Sequence, residues 1–388
     1  QVTRVDASSE SLLKRALANT RNSRLAKDAA GAVVTVDVGA IRHNYRDGLA
    51  KLGAGVTPSA VIKADGYGLG AAKLAQVLIQ EGCRDFFVAR ISEAVELRQA
   101  LRAQDPQMAR KVAINVLDGP LAGSDPQMLI DHQITPVLNS LEQVRTWNQA
   151  AQERGTTLPA ILQVDSGMSR AGMPPEEINE VVGERQSHLG NIKLQHIMSH
   201  LAKAGDATPD VGESRQAGQA SRQQLAKFDE ICAHFPGVKQ SLGASSTVFL
   251  EPEFHKDMVR MGGTFHGQAP FDADSNPLRS VVKLESQIEQ VRTLAAGDAI
   301  GYGYNFTAQA PMKVATIPIG YADGVARTPA GNREGDPESK PYVLIDGKHK
   351  APLVGATSMD MTTVDVTQVP AEALSRGTKV TLIGGKIT

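Results

Sequence analysis

Short apolar runs alternate with longer amphipathic stretches over the first two thirds of the chain. The short runs have the length of strands, and the stretches between them repeat their apolar residues every three or four positions, as helices do. Eight strands that alternate with helices in one continuous run predict a (β/α)8 barrel, a TIM-like α/β barrel, with a doubly wound parallel sheet as the alternative. The predicted strands are residues 59–63, 85–89, 112–117, 134–138, 159–164, 193–198, 240–244 and 257–261, and the predicted helices include 71–81, 91–102, 141–154, 176–186 and 216–233.

The pattern changes after about Gln268. Short strands punctuated by Gly, Pro, Asp and Asn replace the helical periods, and the pair Asp346-Gly347 is a hairpin signal. We therefore predict an N-terminal extension (1–30), a barrel (31–271) and a mostly β domain (278–388), with Asp272 to Pro277 as linker. The predicted strands of the second domain are residues 281–291, 313–318, 342–345, 351–354, 362–366 and 379–383.

Composition narrows the function classes. The 388 residues include 41 Lys and Arg against 42 Asp and Glu, so a formal net charge of −1 offers no basic surplus for nucleic acid or an anionic membrane. No apolar stretch approaches the roughly 20 residues that span a bilayer, and Cys83 and Cys232 stand outside any metal-ligand spacing. We expect no nucleic-acid partner, no membrane and no metal. The absence of a visible signal peptide favours the cytoplasm, and because the chain opens at Gln1 a periplasmic location stays open.

The stretch with most chemical content is SAVIKADGYGLG, residues 59–70, in which an apolar strand ends at Lys63 and continues into a glycine-rich turn. The carboxyl ends of barrel strands face the active site, so a lysine there lies at the catalytic rim. Burial of its amine favours Schiff-base chemistry, and the glycines allow the backbone to approach a phosphate. A surface lysine followed by an ordinary loop is the competing interpretation.

Five ordered stretches resemble the alanine racemase family. They are AVIKADGYGLG (60–70), VDSGMSRAGM (164–173), IMSHLAKAGD (197–206), GYGYNFTA with IPIGYADG (301–308 and 317–324), and VGATSMDMTTVDVT (354–367). The resemblance runs from about Val33 to the end of the chain and implies a barrel followed by a β domain, with pyridoxal 5'-phosphate as the cofactor.

The resemblance also implies the reaction and its two bases. Racemisation removes the α-proton from one face of an amino acid and returns a proton to the other, so it needs an electron sink and two bases on opposite faces. Lys63 matches the cofactor-bound lysine, which is also one base, and Tyr302 matches the second base, which acts from the neighbouring subunit. A homodimer with shared active sites, a small amino-acid substrate and a supply of D-alanine for peptidoglycan are therefore expected.

The same resemblance assigns the remaining site residues. Arg260 matches the arginine on the pyridine nitrogen, His200 the ring that links this network to the cofactor, and Arg170 the arginine that holds the substrate carboxylate. The other matches contact either the phosphate, namely Tyr67, Ser246, Gly262 and Gly263, or the substrate from the second subunit, namely Met359 and Asp360.

Several departures from the family pattern keep alternatives open. Ser245-Ser246 stands where members commonly have Asn-Ser, and His266-Gly267 where they have Tyr-Gly. Gln163 replaces a lysine that some members carbamylate, and the HxxxH spacing of His196 and His200 on a strand is not a tight metal pair. The alternatives are a racemase of broader specificity, acting on serine or larger amino acids, and a pyridoxal-phosphate-binding protein without turnover.

Overall fold

The computed structural model describes residues 30–205, 216–269, 276–326, 329–330 and 341–384, with the backbone alone at 329–330. Most of the expected N-terminal extension (1–29) and residues 272–275 of the expected linker lie outside this part of the chain. The chain divides into two units. The barrel unit is Asp37–Val281, and the β unit consists of the described residues on either side of it.

The first strand, β1 (Ala32–Val36), belongs to the β unit, although the sequence places residues 31–36 at the start of the barrel. All five of its residues pair antiparallel with a strand that begins at Val282. The barrel unit therefore begins at Asp37, whose carboxylate caps the first helix by accepting a hydrogen bond from the backbone of Ala40.

Parallel strands β2–β9 form the barrel, so the predicted α/β barrel is confirmed. Neighbours in sequence pair from β2 to β8, and β9 pairs with β2. Hydrogen bonds from the Asp257 backbone to Gln240 and from Arg260 to Gly243, both of 3.0 Å, join β8 to β9. This closure excludes the doubly wound sheet. The strands are β2 (Thr57–Val61), β3 (Asp85–Val88), β4 (Ala113–Val116), β5 (Thr135–Leu138), β6 (Leu158–Gln163), β7 (Ile192–Met198), β8 (Lys239–Ser241) and β9 (Met258–Met261).

Helices connect these strands and cover them. The segment Leu141–Glu153 shows why such segments form: Ser140 caps its start, and one apolar face buries Trp147, a contribution of roughly 1.5–3 kcal/mol. Three helices were not predicted. Pro106–Arg110 and Gln127–Asp131 are only five residues long and show no readable period. In Val38–Lys51, residues Gly39, Asn44 and Gly48 interrupt the apolar pattern. The helices are α1 (Val38–Lys51), α2 (Ala71–Gln80), α3 (Ile91–Gln104), α4 (Pro106–Arg110), α5 (Gln127–Asp131), α6 (Leu141–Glu153), α7 (Pro175–Gly183), α8 (Arg185–Leu189) and α9 (Gln219–Ala233).

The β unit contains one larger antiparallel sheet, in the order β1-β10-β20-β16-β17, and smaller sheets around an apolar core that includes Ile317, Ile345 and Val364. The run predicted as one strand, 281–291, is two strands, since the pairing is interrupted at residues 288–289 and the second strand joins a different sheet. The strands are β10 (Val282–Gln287), β11 (Gln290–Leu294), β12 (Ala299–Ile300), β13 (Phe306–Thr307), β14 (Met312–Ile317), β15 (Pro329–Ala330), β16 (Tyr342–Ile345), β17 (His349–Pro352), β18 (Gly355–Ala356), β19 (Thr362–Asp365) and β20 (Lys379–Ile383).

The predicted hairpin at Asp346-Gly347 is present between β16 and β17. Both residues have positive φ, 52° and 67°, and the Lys348 backbone donates to the carbonyl of Ile345 at 3.1 Å. Asp and Gly tolerate this left-handed geometry, which explains why the pair is a reliable turn signal.

Candidate active site

Lys63 lies two residues after the end of β2, at the carboxyl end of the barrel strands. The following residues, Ala64, Asp65, Gly66 and Tyr67, form a turn of left-handed helix with φ between 52° and 65°. Hydrogen bonds from the Gly66 and Gly68 backbones to Ile62 and Ala64, both of 2.9 Å, close this turn. A left-handed residue other than glycine costs roughly 1–2 kcal/mol, so surrounding contacts must impose this geometry. We call residues 63–70 the lysine turn.

Arg260 is a buried cation on β9, only 4% exposed. Its guanidinium donates to the carbonyl and hydroxyl oxygens of Ser241, at 2.9 and 2.5 Å, and to the carbonyl of Ser199 at 2.7 Å. Burial lowers its pKa to about 10, which still leaves it protonated at neutral pH. A fixed positive charge therefore lies at the carboxyl end of the barrel.

His200 interacts with each of the predicted charged residues of the barrel unit. Its Nδ1 is 3.3 Å from a terminal guanidinium nitrogen of Arg260. Burial, and then the positive charges of Arg260, Arg170 and Lys63 in that order, together lower the pKa of His200 to about 3. The imidazole is therefore neutral at physiological pH. Because a guanidinium only donates, Nδ1 is the acceptor and the ring proton lies on Nε2.

Arg170 extends into solvent from the loop that follows β6. One oxygen of Asp165 accepts hydrogen bonds from the backbones of Gly167, Met168 and Ser169, at 2.8, 2.9 and 3.1 Å. Ser169 has a φ of 55°. This tight loop presents the guanidinium at the same end of the barrel as Lys63 and His200.

A small cradle lies beside Tyr67, immediately after β9. A Cβ on Gly262 would lie 2.6 Å from the Tyr67 hydroxyl oxygen, so only glycine leaves this space open. Ser245 Oγ accepts hydrogen bonds from the backbones of Gly262 and Thr264, at 2.8 and 3.2 Å. Two backbone N–H groups thus converge on one oxygen, as they do in anion sites.

The sequence predicts Ser246 as a phosphate contact, and this prediction stands beside the observed contacts of its neighbour Ser245. Ser246 is half-buried, whereas the hydroxyl of Ser245 is the one that meets the two N–H groups. Nothing in the local pattern distinguishes two adjacent serines. His266 was seen only as a departure from the family pattern, and its ring packs against Tyr67 with centroids 4.8 Å apart.

The predicted residues of the β unit lie on exposed turns. Tyr302 is 76% exposed on a short 3-10 turn (Tyr302–Tyr304) between β12 and β13, and Met359 is 58% exposed on a turn after β18. Hydrogen bonds from the backbones of Tyr321 and Ala322 to Ser358 and Met359, of 3.0 and 2.9 Å, fix the second turn. Asp360 is exposed beside Met359.

Comparison with known proteins identifies the family. A family model for the alanine racemase N-terminal domain matches residues 36–270, and one for the C-terminal domain matches residues 281–388. The chain belongs to the alanine racemase family. A protein of Mesorhizobium japonicum named "Alanine racemase, catabolic" is 38% identical over 356 residues, which cover 92% of this chain and 86% of that protein. The resemblance of the five sequence stretches is thereby confirmed.

Solved structures of alanine racemases have the same fold. The enzyme from Bartonella henselae, determined with covalently bound pyridoxal phosphate, superimposes with a TM-score of 0.80 at 36% identity and covers 92% of this chain and 91% of its own. A biosynthetic alanine racemase from Pseudomonas aeruginosa gives a TM-score of 0.76 at 29% identity, with the same coverage. The chain is therefore related to amino-acid racemases in both units.

The described residues contain neither a metal-binding cluster nor a membrane-spanning helix. No group of three or more His, Cys, Asp or Glu in this part of the chain is placed to hold a metal ion. No helix there is both long and apolar enough to cross a membrane.

Proposed function

We propose that this protein is a pyridoxal-phosphate-dependent alanine racemase that works as a homodimer, with Lys63 and Tyr302 of the partner subunit as its two bases. The observation that carries the proposal is the buried network at the carboxyl end of the barrel, in which Arg260 donates to His200 and to the Ser199 carbonyl, and the cations Lys63 and Arg170 act on the same imidazole. The covalently bound cofactor in the Bartonella henselae relative supports the same assignment.

The residues of the barrel unit fit pyridoxal phosphate. Lys63 offers an amine at the end of a strand, and its side chain makes no hydrogen bond or ion pair with the described residues. The cradle at Gly262 offers a phosphate group two hydroxyls, that of Tyr67, which a Cβ at Gly262 would crowd, and that of Ser245, on which the N–H groups of Gly262 and Thr264 converge. Arg260 supplies a buried cation for the ring nitrogen. When bound, the cofactor stabilises the negative charge that develops at the α-carbon of an amino acid as its proton leaves.

Each charged residue then has a defined task. Arg260 stays protonated, so a ring nitrogen that faces it stays unprotonated, which limits side reactions. His200 stays neutral and accepts a hydrogen bond from Arg260, so it orients that guanidinium without adding a charge. Arg170 binds the substrate carboxylate from its exposed loop, and the Nζ atom of Lys63 takes and returns the proton on one face of the α-carbon.

The second base requires a second chain. Tyr302, Tyr304, Met359 and Met361 are all large side chains exposed at between 43% and 76% on turns of the β unit. Large exposed apolar groups in proximity mark interaction surfaces, and we propose that a second copy of the chain covers this one. Tyr302 of the partner subunit would then supply its hydroxyl to the opposite face of the α-carbon, while Met359 and Asp360 of the partner subunit restrict the size of the substrate.

The physiological direction is a separate question, because enantiomers have equal free energies and one site serves both directions. Supply of D-alanine for peptidoglycan is the role expected from the resemblance. The names of relatives from Mesorhizobium japonicum and Agrobacterium fabrum, both called catabolic alanine racemases, favour degradation of alanine instead. Deletion of the gene distinguishes the two: a requirement for D-alanine supports the first role, and loss of growth on alanine as carbon source supports the second.

The reaction is tested by α-proton exchange in heavy water on the cofactor-loaded protein, with a panel of L-amino acids and chiral analysis of the products. We expect exchange with racemisation of alanine. Activity on serine or larger residues at similar rates would instead assign a broad-specificity racemase. Bound cofactor without exchange of any amino acid would refute the proposal and favour a non-catalytic pyridoxal-phosphate-binding protein.

Two variants test the bases. Lys63→Ala should remove the visible absorbance of lysine-linked cofactor, and an unchanged spectrum would reject the assignment. Tyr302→Phe should retain that absorbance and lower exchange from L-alanine by about 10²- to 10⁴-fold, the usual contribution of a general base. Single-turnover exchange from D-alanine should persist in Tyr302→Phe, because Lys63 serves that face. Equal losses from both enantiomers would contradict the facial roles.

A further inference from the structure

We infer that Glu93 is a positioning residue for Lys63: its carboxylate holds the lysine turn in its left-handed conformation and so aims the amine. This inference rests on the proposed function for its catalytic consequence. Glu93 lies in the first turn of α3, outside every sequence stretch that indicated the active site.

The carboxylate of Glu93 connects three backbone segments. One oxygen, Oε1, accepts a hydrogen bond of 2.5 Å from the backbone of Ala64, the residue after Lys63. The other oxygen, Oε2, accepts hydrogen bonds of 2.8 and 2.9 Å from Ala89 and Arg90, at the end of β3. Glu93 therefore ties the lysine turn to the neighbouring strand and to the start of α3.

The lysine turn needs such a link. Ala64, Asp65 and Tyr67 hold φ angles of 53°, 52° and 56°, which an alanine, an aspartate and a tyrosine adopt only when other contacts impose them. Beyond the turn, Asp65 fixes the start of α2 by accepting from the Ala71 backbone at 2.8 Å. At the lysine end, the bond from Ala64 to Glu93 is the side-chain contact that holds the first strained residue. Release of that bond lets the peptide after Lys63 rotate, and the direction of the lysine side chain changes with it.

Only a carboxylate suits this position. Both oxygens of Glu93 meet N–H donors, and a carboxylate accepts on both sides, whereas a glutamine presents an NH2 group on one of them. The side facing Ala89 and Arg90 makes two hydrogen bonds and the side facing Ala64 makes one. In Glu93→Gln, the amide oxygen therefore faces Ala89 and Arg90 and keeps both of those hydrogen bonds, and the NH2 group faces the N–H of Ala64. That variant breaks the link to the lysine turn and keeps the cap of α3.

The chain contains a matched control. Glu177 is the third residue of α7, as Glu93 is the third residue of α3, and both are half-buried. Glu177 Oε2 accepts a hydrogen bond of 2.8 Å from the backbone of Leu141, at the start of α6. Glu177→Gln therefore removes the same negative charge at the same helix position, keeps its one hydrogen bond through the amide oxygen, and leaves the lysine turn untouched.

Hydrogen exchange of the cofactor-free protein tests the local effect. We expect the backbone amides of residues 63–70 to exchange about fivefold faster in Glu93→Gln, the factor for loss of one hydrogen bond, and to be unchanged in Glu177→Gln. The thermal midpoints of the two variants should be similar. Equal exchange in residues 63–70 for wild type and Glu93→Gln would overturn the inference.

Kinetics test the consequence for catalysis. We expect Glu93→Gln to lower kcat for alanine by about tenfold to a hundredfold, the effect of a small misplacement of a reacting group, with KM little changed and with cofactor bound. Glu177→Gln should match the wild type. Equal kcat in the two variants would refute a positioning role. If Glu93→Gln does not fold, Glu93→Asp, which is too short to reach Ala64 but keeps the negative charge at the helix start, gives the same comparison.

The two proposals fail in different ways. A wild-type protein that does not exchange the α-proton of alanine refutes the proposed function, while hydrogen exchange in the cofactor-free protein still decides whether Glu93 holds the lysine turn.

Discussion

The cradle at Gly262 allows a sharp test of the phosphate assignment through the substitution Gly262→Ala. The added methyl group would lie 2.6 Å from the hydroxyl oxygen of Tyr67 and 3.4 Å from its Cζ atom and from Cβ of Val61. The backbone of Gly262 has no positive φ, so alanine is tolerated there without strain. Tyr67 is 45% exposed, so its hydroxyl has solvent on one side. The perturbation therefore displaces one hydroxyl group and leaves the barrel intact.

The expected magnitude follows from that displacement. To reach ordinary contact, the Tyr67 hydroxyl must move by about 0.8 Å, which would break the hydrogen bond that we propose it donates to the cofactor phosphate. A hydrogen bond to a charged group contributes about 1.5–3 kcal/mol, so affinity for pyridoxal phosphate should fall about tenfold to 150-fold. The free energy of unfolding of the cofactor-free protein should change by less than about 1 kcal/mol, because the moved group is partly in solvent.

A double-mutant cycle is the decisive assay. Cofactor affinity is measured by absorbance titration of the cofactor-free protein for Gly262→Ala, Tyr67→Phe and the double variant. If Gly262→Ala acts through the Tyr67 hydroxyl, the double variant should bind no more weakly than Tyr67→Phe alone. If the losses of cofactor affinity in the two single variants add up in the double variant, Gly262→Ala does not act through the Tyr67 hydroxyl. Normal affinity in Gly262→Ala together with weakened affinity in Tyr67→Phe would refute this explanation as well. Gly183→Ala is the control, since that glycine lies in α7, has no positive φ, and its added Cβ would have nothing within 4 Å.

Two further predictions concern stability. Burial and nearby positive charges lower the pKa of His200 to about 3, against an ordinary value near 6.5. Between pH 6.5 and pH 3 the unfolded state therefore binds more protons than the folded state. The free energy of unfolding should fall as the pH drops through this range, by up to about 1.4 kcal/mol per pH unit. Urea denaturation of the cofactor-free protein at several pH values should show that slope reduced in His200→Asn, and an unchanged slope would contradict it. Arg98, 2% exposed, donates to four carbonyls, those of Ala109, Val112, His132 and Gln133. Arg98→Met should therefore cost about 3–5 kcal/mol in urea denaturation, and a loss below about 1 kcal/mol would show that these carbonyls find other partners.

Much of this protein was readable from local sequence. The eight barrel strands lie within three residues of their predicted ends, because each is a short apolar run that stops at polar or glycine-rich residues. The Asp346-Gly347 hairpin was readable for a different reason, since its geometry depends on the intrinsic freedom of two residues at positive φ. Family membership was readable because the five stretches retain their order along the chain.

The tertiary structure decided everything that depends on partners distant in sequence. Closure of the barrel, the pairing of β1 with β10 and the hydrogen bond from Gly262 to Ser245 all rest on contacts between residues 17 or more positions apart, which no local period encodes. The left-handed lysine turn is the clearest case. Local propensity disfavours it at Ala64 and Tyr67, and a carboxylate 29 positions further along the chain supplies one of the hydrogen bonds that hold it. The sequence by itself determined which residues could form the site, and the folded chain determined which atoms meet, because hydrogen bonds and burial act through space and not along the chain.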